Sequence, residues 1–137
     1  MIPDVMDAMQ QRIKDFLAGK TIALVGATDK REKWGYKIWK HLRAKGYEVL
    51  PVNPTVAAID GQKTYPSLRD LPKKPDGVNL VVPPSVSEQA CRAAKELGLA
   101  RVWMQPGAES DEAIEWCDAN GLECIHHKCI LVETGER

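Results

Sequence analysis

The stretch Thr21–Gly35, TIALVGATDKREKWG, constrains the fold more than any other part of the chain. Ile22, Ala23, Leu24 and Val25 are consecutive apolar residues. That is the pattern of a strand buried on both faces, and such strands belong to parallel sheets. Gly26 ends the run, charge follows at Asp29, Lys30, Arg31, Glu32 and Lys33, and Gly35 opens a segment with helical spacing. A buried strand, a glycine turn and a helix start together form a unit that holds phosphate. Backbone N–H groups and the positive end of the helix dipole both face an anion there. Such a strand needs neighbours on both edges and helices over both faces.

The rest of the chain supplies them. Ile2, Met6, Met9, Ile13, Phe16 and Leu17 recur at helical spacing, so Met1–Ala18 is expected to be an amphipathic N-terminal helix ended by Gly19. Lys33–Lys45 is expected to be the next helix, with Ile38, Trp39 and Leu42 toward the sheet and Gly46 as its stop. Tyr47–Val52 reads as the second strand. Residues 53–72 carry Pro54, Gly61, Pro66 and Pro72 and read as loop, with a short third strand near Thr64–Tyr65 and one helical turn at Ser67–Leu71. Val78–Val82 is the fourth strand, stopped by Pro83-Pro84 because proline cannot donate to a ladder. Ser85–Leu97 is the clearest helix: Ser85 and Glu88 have capping-box spacing, and Val86, Ala90, Ala94 and Leu97 form an apolar stripe. Arg101–Met104, Ser110–Asn120 and Leu122–Ile125 complete the series as strand, helix and strand, before a polar tail at Glu133–Arg137. The expected fold class is α/β: one doubly wound domain over residues 1–137, with a mainly parallel sheet of five to six strands and helices on both faces.

The chain has 137 residues, too few for two ordinary domains. Lys plus Arg equals Asp plus Glu, at 19 each, whereas a nucleic-acid-binding surface is usually basic. Any anion site must therefore be local. No apolar run has the length of a membrane span, and Asp4, Asp7 and Arg12 interrupt the N-terminal segment, unlike a secretory signal. Cys91, Cys117, Cys124 and Cys129 are few for a disulfide scaffold and point to free thiols in a cytoplasmic setting.

In a parallel sheet the strand ends share one edge, and ligands bind in the crevice outside it. Here those ends carry Gly26-Ala27-Thr28, Asn53-Pro54, Pro83-Pro84-Ser85 and Gln105-Pro106-Gly107. Turns between strands and helices favour such residues anyway, so the ligand reading rests on their common location. The glycine signal departs from G-x-G-x-x-G: Thr28 stands at the second glycine and Arg31 at the third. The second strand ends in Asn53, not the acid that would bind a ribose 2′-hydroxyl. Both departures weaken a nicotinamide reading. Lys30, Arg31 and Lys33 suit a nucleotide with an additional phosphomonoester, or are a solvated loop.

The succession LVGAT, VLPVNP, VVPPS and VWMQPGAES, followed by histidine and cysteine, resembles the small CoA-binding proteins, which are similar to the N-terminal domain of the succinyl-CoA synthetase α-subunit standing alone. The resemblance runs from about Leu17 to Val132. It implies a Rossmann-like domain that binds coenzyme A, or an acyl-CoA, through its phosphoadenosine and pyrophosphate part. Carried over by position, Gly26, Ala27 and Thr28 would cradle the pyrophosphate, and Lys30 or Lys33 would meet a phosphate. Asn53 and Pro54 would flank the nucleotide, Val82, Pro83 and Pro84 would form an apolar wall, and Gln105, Pro106 and Gly107 would face the opening for pantetheine. The synthetase domain has a lysine just after its second-strand turn, and this chain has Thr55-Val56-Ala57 there. The synthetase's catalytic histidine lies in a second domain, so the resemblance implies binding and does not by itself imply catalysis.

Other chemistry competes at Cys124-Ile125-His126-His127-Lys128-Cys129. Two thiols and two imidazoles suggest zinc, although the histidines sit between the cysteines and on alternate faces of an extended chain. Cys129 beside an imidazole would be an activated nucleophile, or both cysteines are small buried hydrophobes. Trp34 is either packing material or a ligand contact beside the glycine turn. No Ser-His-Asp order or carboxylate pair emerges, and no metal site is expected. The rival functions are an NAD(P)-dependent oxidoreductase, an enzyme working through Cys129, and an acyl-CoA-sensing module that meets a protein partner through its N-terminal helix.

Overall fold

Five short, largely apolar segments pair into one parallel sheet. In a computed structural model describing residues 7–135, these are β1 (Thr21–Val25), β2 (Glu48–Val52), β5 (Gly77–Leu80), β6 (Arg101–Met104) and β7 (Glu123–Ile125), in the order β2-β1-β5-β6-β7. The expected third strand is reduced to a single parallel bridge between Val52 and Tyr65. Counting it as an edge gives the strand order of the Rossmann fold, with the reversal between β1 and β5. A separate antiparallel hairpin, β3 (Ala58–Ile59) with β4 (Gln62–Lys63), lies in the stretch expected to be loop.

The pleat sends alternate strand residues to opposite faces. Ile22 and Leu24 pack under α1 (Ala8–Leu17), α2 (Trp34–Ala44) and α5 (Ile130–Glu133), with Phe16, Ile38, Trp39, Leu42 and Ile130. Ala23 and Val25 pack under α3 (Pro84–Glu96) and α4 (Asp111–Ala119), with Cys91, Ala94, Ala113 and Cys117. The edge of Phe16 meets Trp103 at 5.2 Å between ring centroids. No Cβ fits at Gly77, because Phe16 occupies the space.

Several expectations need correction. Only Asp7 onward of the N-terminal helix is within the described residues, and Asp7 caps Gln10 N–H with its side chain; Ile2 and Met6 lie outside them. The fourth strand ends at Leu80, not Val82, although Val81 N–H still donates to Val25. The capping box at Ser85 does not form: Pro84 takes the first helical position, and Glu88 accepts from Ser110 instead. The stripe of α3 is therefore Ser87, Cys91 and Ala94, and Val86 is exposed. Of the expected tail, Glu133 closes α5, and the Thr134 hydroxyl donates to Ile130 C=O and contacts His41 Nε2 at 2.7 Å.

Candidate functional site

The strand ends converge because each turn begins with a further ladder bond. Gly26 N–H donates to Val52 C=O, Val81 N–H to Val25 C=O and Gln105 N–H to Leu80 C=O. The loops therefore leave the sheet side by side, and a cleft of about 1050 Å³ opens over the β1/β5 reversal. Gly26, Thr28, Lys30 and Lys33 line it from the first loop, Asn53 and Pro54 from the second, and Val82 and Pro83 from the third. The cleft reaches the size of a nucleotide-binding pocket.

Two glycines set the shape of the first loop. Gly26 has φ +98°, and a Cβ there would collide with the Val81 carbonyl and stand 3.0 Å from Val82 Cγ1. Gly35, at the second position of α2, packs directly on the Gly26 carbonyl, where no Cβ fits. In the dinucleotide fingerprint the third glycine provides this close approach of helix to strand. Here Gly35 provides it after a longer loop, whereas counting by fingerprint spacing stops at Arg31.

Asn53 joins the first two turns. Its Nδ2 donates to Ala27 C=O at 2.8 Å, and its Oδ1 accepts from both the N–H and the hydroxyl of Thr55, each at 2.9 Å. Thr28 Oγ1 accepts from Lys30 N–H at 3.2 Å. Gly26 N–H is taken by Val52, while among the described residues the N–H groups of Ala27 and Thr28 have no partner. Lys30 and Lys33 are exposed, and so are the cleft-lining acids Asp29 and Glu32. These four cleft-lining charges cancel, and the fifth charge of the loop, Arg31, lies over the Tyr36 ring, 5.5 Å from its centroid, so anion affinity in the cleft depends on individual contacts more than on a net field.

Not all the sequence candidates share the cleft. The Ala27 side chain is wholly buried under the α1/α2/α5 face. Pro84 is taken up in the first turn of α3 and does not line the cleft. Pro106 and Gly107 line a smaller depression of about 280 Å³, which shares Val81, Val82 and Pro83 with the main cleft. Gln105 points inward: its Oε1 accepts from Ile130 N–H at 2.8 Å and its Nε2 donates to Cys129 Sγ at 3.3 Å.

The hairpin adds a wall that the sequence reading left out. Val56, Ala57 and Ala58 line the cleft, and Asp60 fastens the hairpin to α2 by accepting from Trp39 Nε1 and Tyr36 OH, both at 3.1 Å. Those bonds, the Trp39 one foremost, hold its carboxyl below the ordinary range. Asp60-Gly61, with φ +48° and +80°, has the mirror-image turn that tight hairpins prefer. The Asp-Gly pair was the available signal. Val81 and Val86 also line the cleft from the third loop and α3.

The cysteine–histidine stretch is divided by the sheet. Cys124 is buried on the α3/α4 side, and Cys129 packs on the opposite side. Zinc across that pair is excluded by this placement, and among the described residues no group of three His, Cys, Asp or Glu side chains converges on a metal position. His126 Nδ1 faces His127 Nδ1 at 2.7 Å, and desolvation lowers the His126 pKa. The partner of Cys129 is Gln105, not an imidazole. Contact with Cys117 and burial push the Cys91 and Cys124 thiols up, as inert core groups. No helix among the described residues is long and apolar enough to cross a membrane.

Similar proteins extend these observations. A family model described as CoA binding domain matches residues 20–135. The chain is 32% identical over 124 residues to the uncharacterized protein YneT of Bacillus subtilis, covering 88% of this chain and 90% of that one. It is 27% identical over 126 residues to the alpha subunit of an ADP-forming acetate–CoA ligase II of Pyrococcus furiosus, covering 84% of this chain but 28% of the ligase subunit. The solved structure of a conserved hypothetical protein from Pyrococcus furiosus superposes with a TM-score of 0.80 at 46% identity, over 83% of this chain and 98% of the other.

Proposed function

Because the chain belongs to the CoA-binding domain family, we propose that it binds coenzyme A or an acyl-CoA through the nucleotide and pyrophosphate, as a single cytoplasmic domain over residues 1–137 without catalysis of its own. The observation that carries this reading is the cleft over the β1/β5 reversal, whose first loop turns sharply at Gly26 because that glycine packs on the Val81 carbonyl at φ +98°. The unpartnered N–H of Thr28 is its donor, with the Thr28 hydroxyl beside it, while Ala27 is buried away from the cleft. Lys30 and Lys33 meet the phosphates, one of them the phosphomonoester that distinguishes CoA from its dephospho form. Asn53 acts through the shape of the loop it clasps, Pro54 flanks the nucleotide, and Val82 and Pro83 form the apolar wall. Pantetheine leaves across Val82 toward Pro106 and Gly107, where the two depressions join.

An NAD(P)-dependent oxidoreductase is the weaker reading. Asn53 stands where an acid would hold the ribose, and its amide is already engaged with Ala27 and Thr55. Calorimetric titration with CoA, dephospho-CoA, ADP, NAD and NADP separates the two. CoA should bind most tightly, and removing the phosphomonoester should weaken it, less so in the Lys30→Ala, Lys33→Ala double variant. Equal affinity for CoA and dephospho-CoA would overturn the lysine assignment, and binding of NAD alone would overturn the whole proposal.

A further inference from the structure

The chain has four tryptophans, and three are packed. Trp39 and Trp103 are fully buried, and Trp116 is half-buried against the core under α3 and α4. Trp34 is 59% exposed. Large apolar side chains at helix starts normally turn inward when they can, and α2 buries Gly35, Tyr36, Ile38, Trp39 and Leu42 on its inner face. Trp34 instead lines the cleft. The described residues have three exposed large hydrophobics, Trp34, Val86 and Val132, and the first two stand on the walls of this one cleft.

The ring is also oriented. The Lys37 ammonium, one turn along α2, lies 4.6 Å from the centroid of the indole. A cation over one face leaves the other as the stacking surface. Tryptophan is the side chain best suited to both contacts, because its π-system attracts a cation and stacks on a heteroaromatic ring. The cleft also holds the turn of Gly26, with Lys30 and Lys33 beside it. A ligand anchored there by phosphates and carrying a flat base can place that base against the indole.

We propose that Trp34 is the stacking platform for the purine of the bound nucleotide, with Val86 closing the apolar side of the slot. The proposal rests on the CoA reading for the identity of the ligand, but requires only that the ligand carry a purine. Trp34 then selects for the adenosine half of CoA, and the pantetheine half contributes nothing to this contact. Because the side chain is exposed, its removal should leave the fold intact.

The test compares wild type, Trp34→Ala and Trp34→Phe, each checked for unchanged thermal unfolding. Affinities are measured for CoA, ADP and 4′-phosphopantetheine, which lacks the adenosine. Trp34→Ala should weaken CoA and ADP by about 10- to 100-fold, the range of base–aromatic stacking. Trp34→Phe should retain most of the affinity, and phosphopantetheine should bind all three proteins alike. In wild type, CoA should quench tryptophan fluorescence, and Trp34→Ala should abolish that quenching. Unchanged CoA affinity in Trp34→Ala overturns the platform and leaves the CoA reading standing. If ADP but not CoA binds wild type and Trp34→Ala loses it, the platform stands and the CoA reading falls. Equal losses for CoA and phosphopantetheine overturn the platform, and failure of wild type to bind any purine nucleotide overturns both.

Discussion

Replacing Gly35 by alanine tests whether the cleft depends on backbone packing. The new Cβ would collide with the Gly26 carbonyl oxygen and lie 3.2 Å from Gly26 C and 3.3 Å from Thr28 Cγ2. To restore a C···O separation near 3.3 Å, helix and turn must part by about 1 Å. Two effects compete. Alanine raises helix propensity by about 1 kcal/mol at most in a helix interior, and by less this close to the N-terminus. Overpacking costs about 1–3 kcal/mol, and the upper half applies because the obstructing atoms are backbone, which no rotamer change can clear. The net loss is about 2 kcal/mol, a fall in Tm of roughly 6–10 °C at about 3–5 °C per kcal/mol for a chain of this length. Binding should suffer separately. A 1 Å shift of the turn disrupts at least one charge-assisted hydrogen bond, so CoA affinity should drop by about 10-fold or more. Differential scanning calorimetry and titration of CoA read the two effects. Gly107→Ala is the control: no atom lies within 4 Å of its Cβ, and only the strain at φ +95° remains, so it should lose some stability while keeping its affinity for ADP. A Gly35→Ala protein with wild-type Tm and wild-type CoA affinity would refute the claim that Gly35 sets the turn.

Four further perturbations test the neighbouring parts. Asp60→Ala removes the acceptor of Trp39 Nε1 and Tyr36 OH, so hydrogen exchange should accelerate across 58–63 while the main sheet stays protected; uniform protection would show that the hairpin is held by other contacts. Asp76 accepts from Thr21 and Lys20 N–H, which hold its carboxyl below the ordinary range. The folded chain therefore binds fewer protons than the unfolded one in mild acid, and this stabilisation is full above the unfolded pKa near 3.9 and lost as pH falls through the folded value. The Tm gap between wild type and Asp76→Asn should thus be widest above about pH 5 and narrow as the pH falls below the unfolded value and through the folded one, and a gap independent of pH would contradict it. Of the four thiols, Cys91, Cys117 and Cys124 are buried and Cys129 is partly exposed, so a thiol reagent should label one site in the native protein and four in denaturant. Asn53→Asp replaces the donor to Ala27 C=O with a carboxylate oxygen, which should destabilise by about 1–3 kcal/mol without creating NAD affinity; a gain of NAD binding would restore the oxidoreductase reading.

What was legible in the sequence follows how local each signal is. The strand at Ile22–Val25 and the Val102–Met104 part of the strand that starts at Arg101 announce themselves by composition, since consecutive apolar residues on both sides mark a buried strand. The glycine turn and the proline stops are equally local, because they act through backbone dihedrals. The capping box at Ser85 fails for a reason also present in the sequence: Pro84 is pre-set for the first helical position, so the helix starts one residue early and Glu88 is free to meet Ser110. The direction of Gln105 was not legible, because it depends on α5 returning over β6 to offer Ile130 N–H. The same holds for Cys124 and Cys129, five residues apart in sequence but on opposite faces of the sheet.

The cleft is built chiefly from main-chain geometry, and that explains why a side-chain fingerprint describes it poorly. Gly26 is required because the Val81 carbonyl lies where a side chain would be, and Gly35 because the Gly26 carbonyl does. Neither condition fixes how many residues separate the two glycines, as long as the intervening loop can leave and return. Here that loop is long enough to carry Asp29, Lys30, Glu32 and Lys33 to the rim and Trp34 to the wall. The shorter spacing of the dinucleotide fingerprint has no room for such a set. The extra residues that make the chain fail the motif are thus the ones that give its cleft individual charges and an exposed indole. The end of β2 plays a different part. An acid there would be free to meet a ribose, whereas Asn53 has both ends of its amide engaged, one with Ala27 and one with Thr55. On the proposed reading, polar recognition falls to the lengthened first loop, because the Asn53 side chain of the second is occupied with holding it.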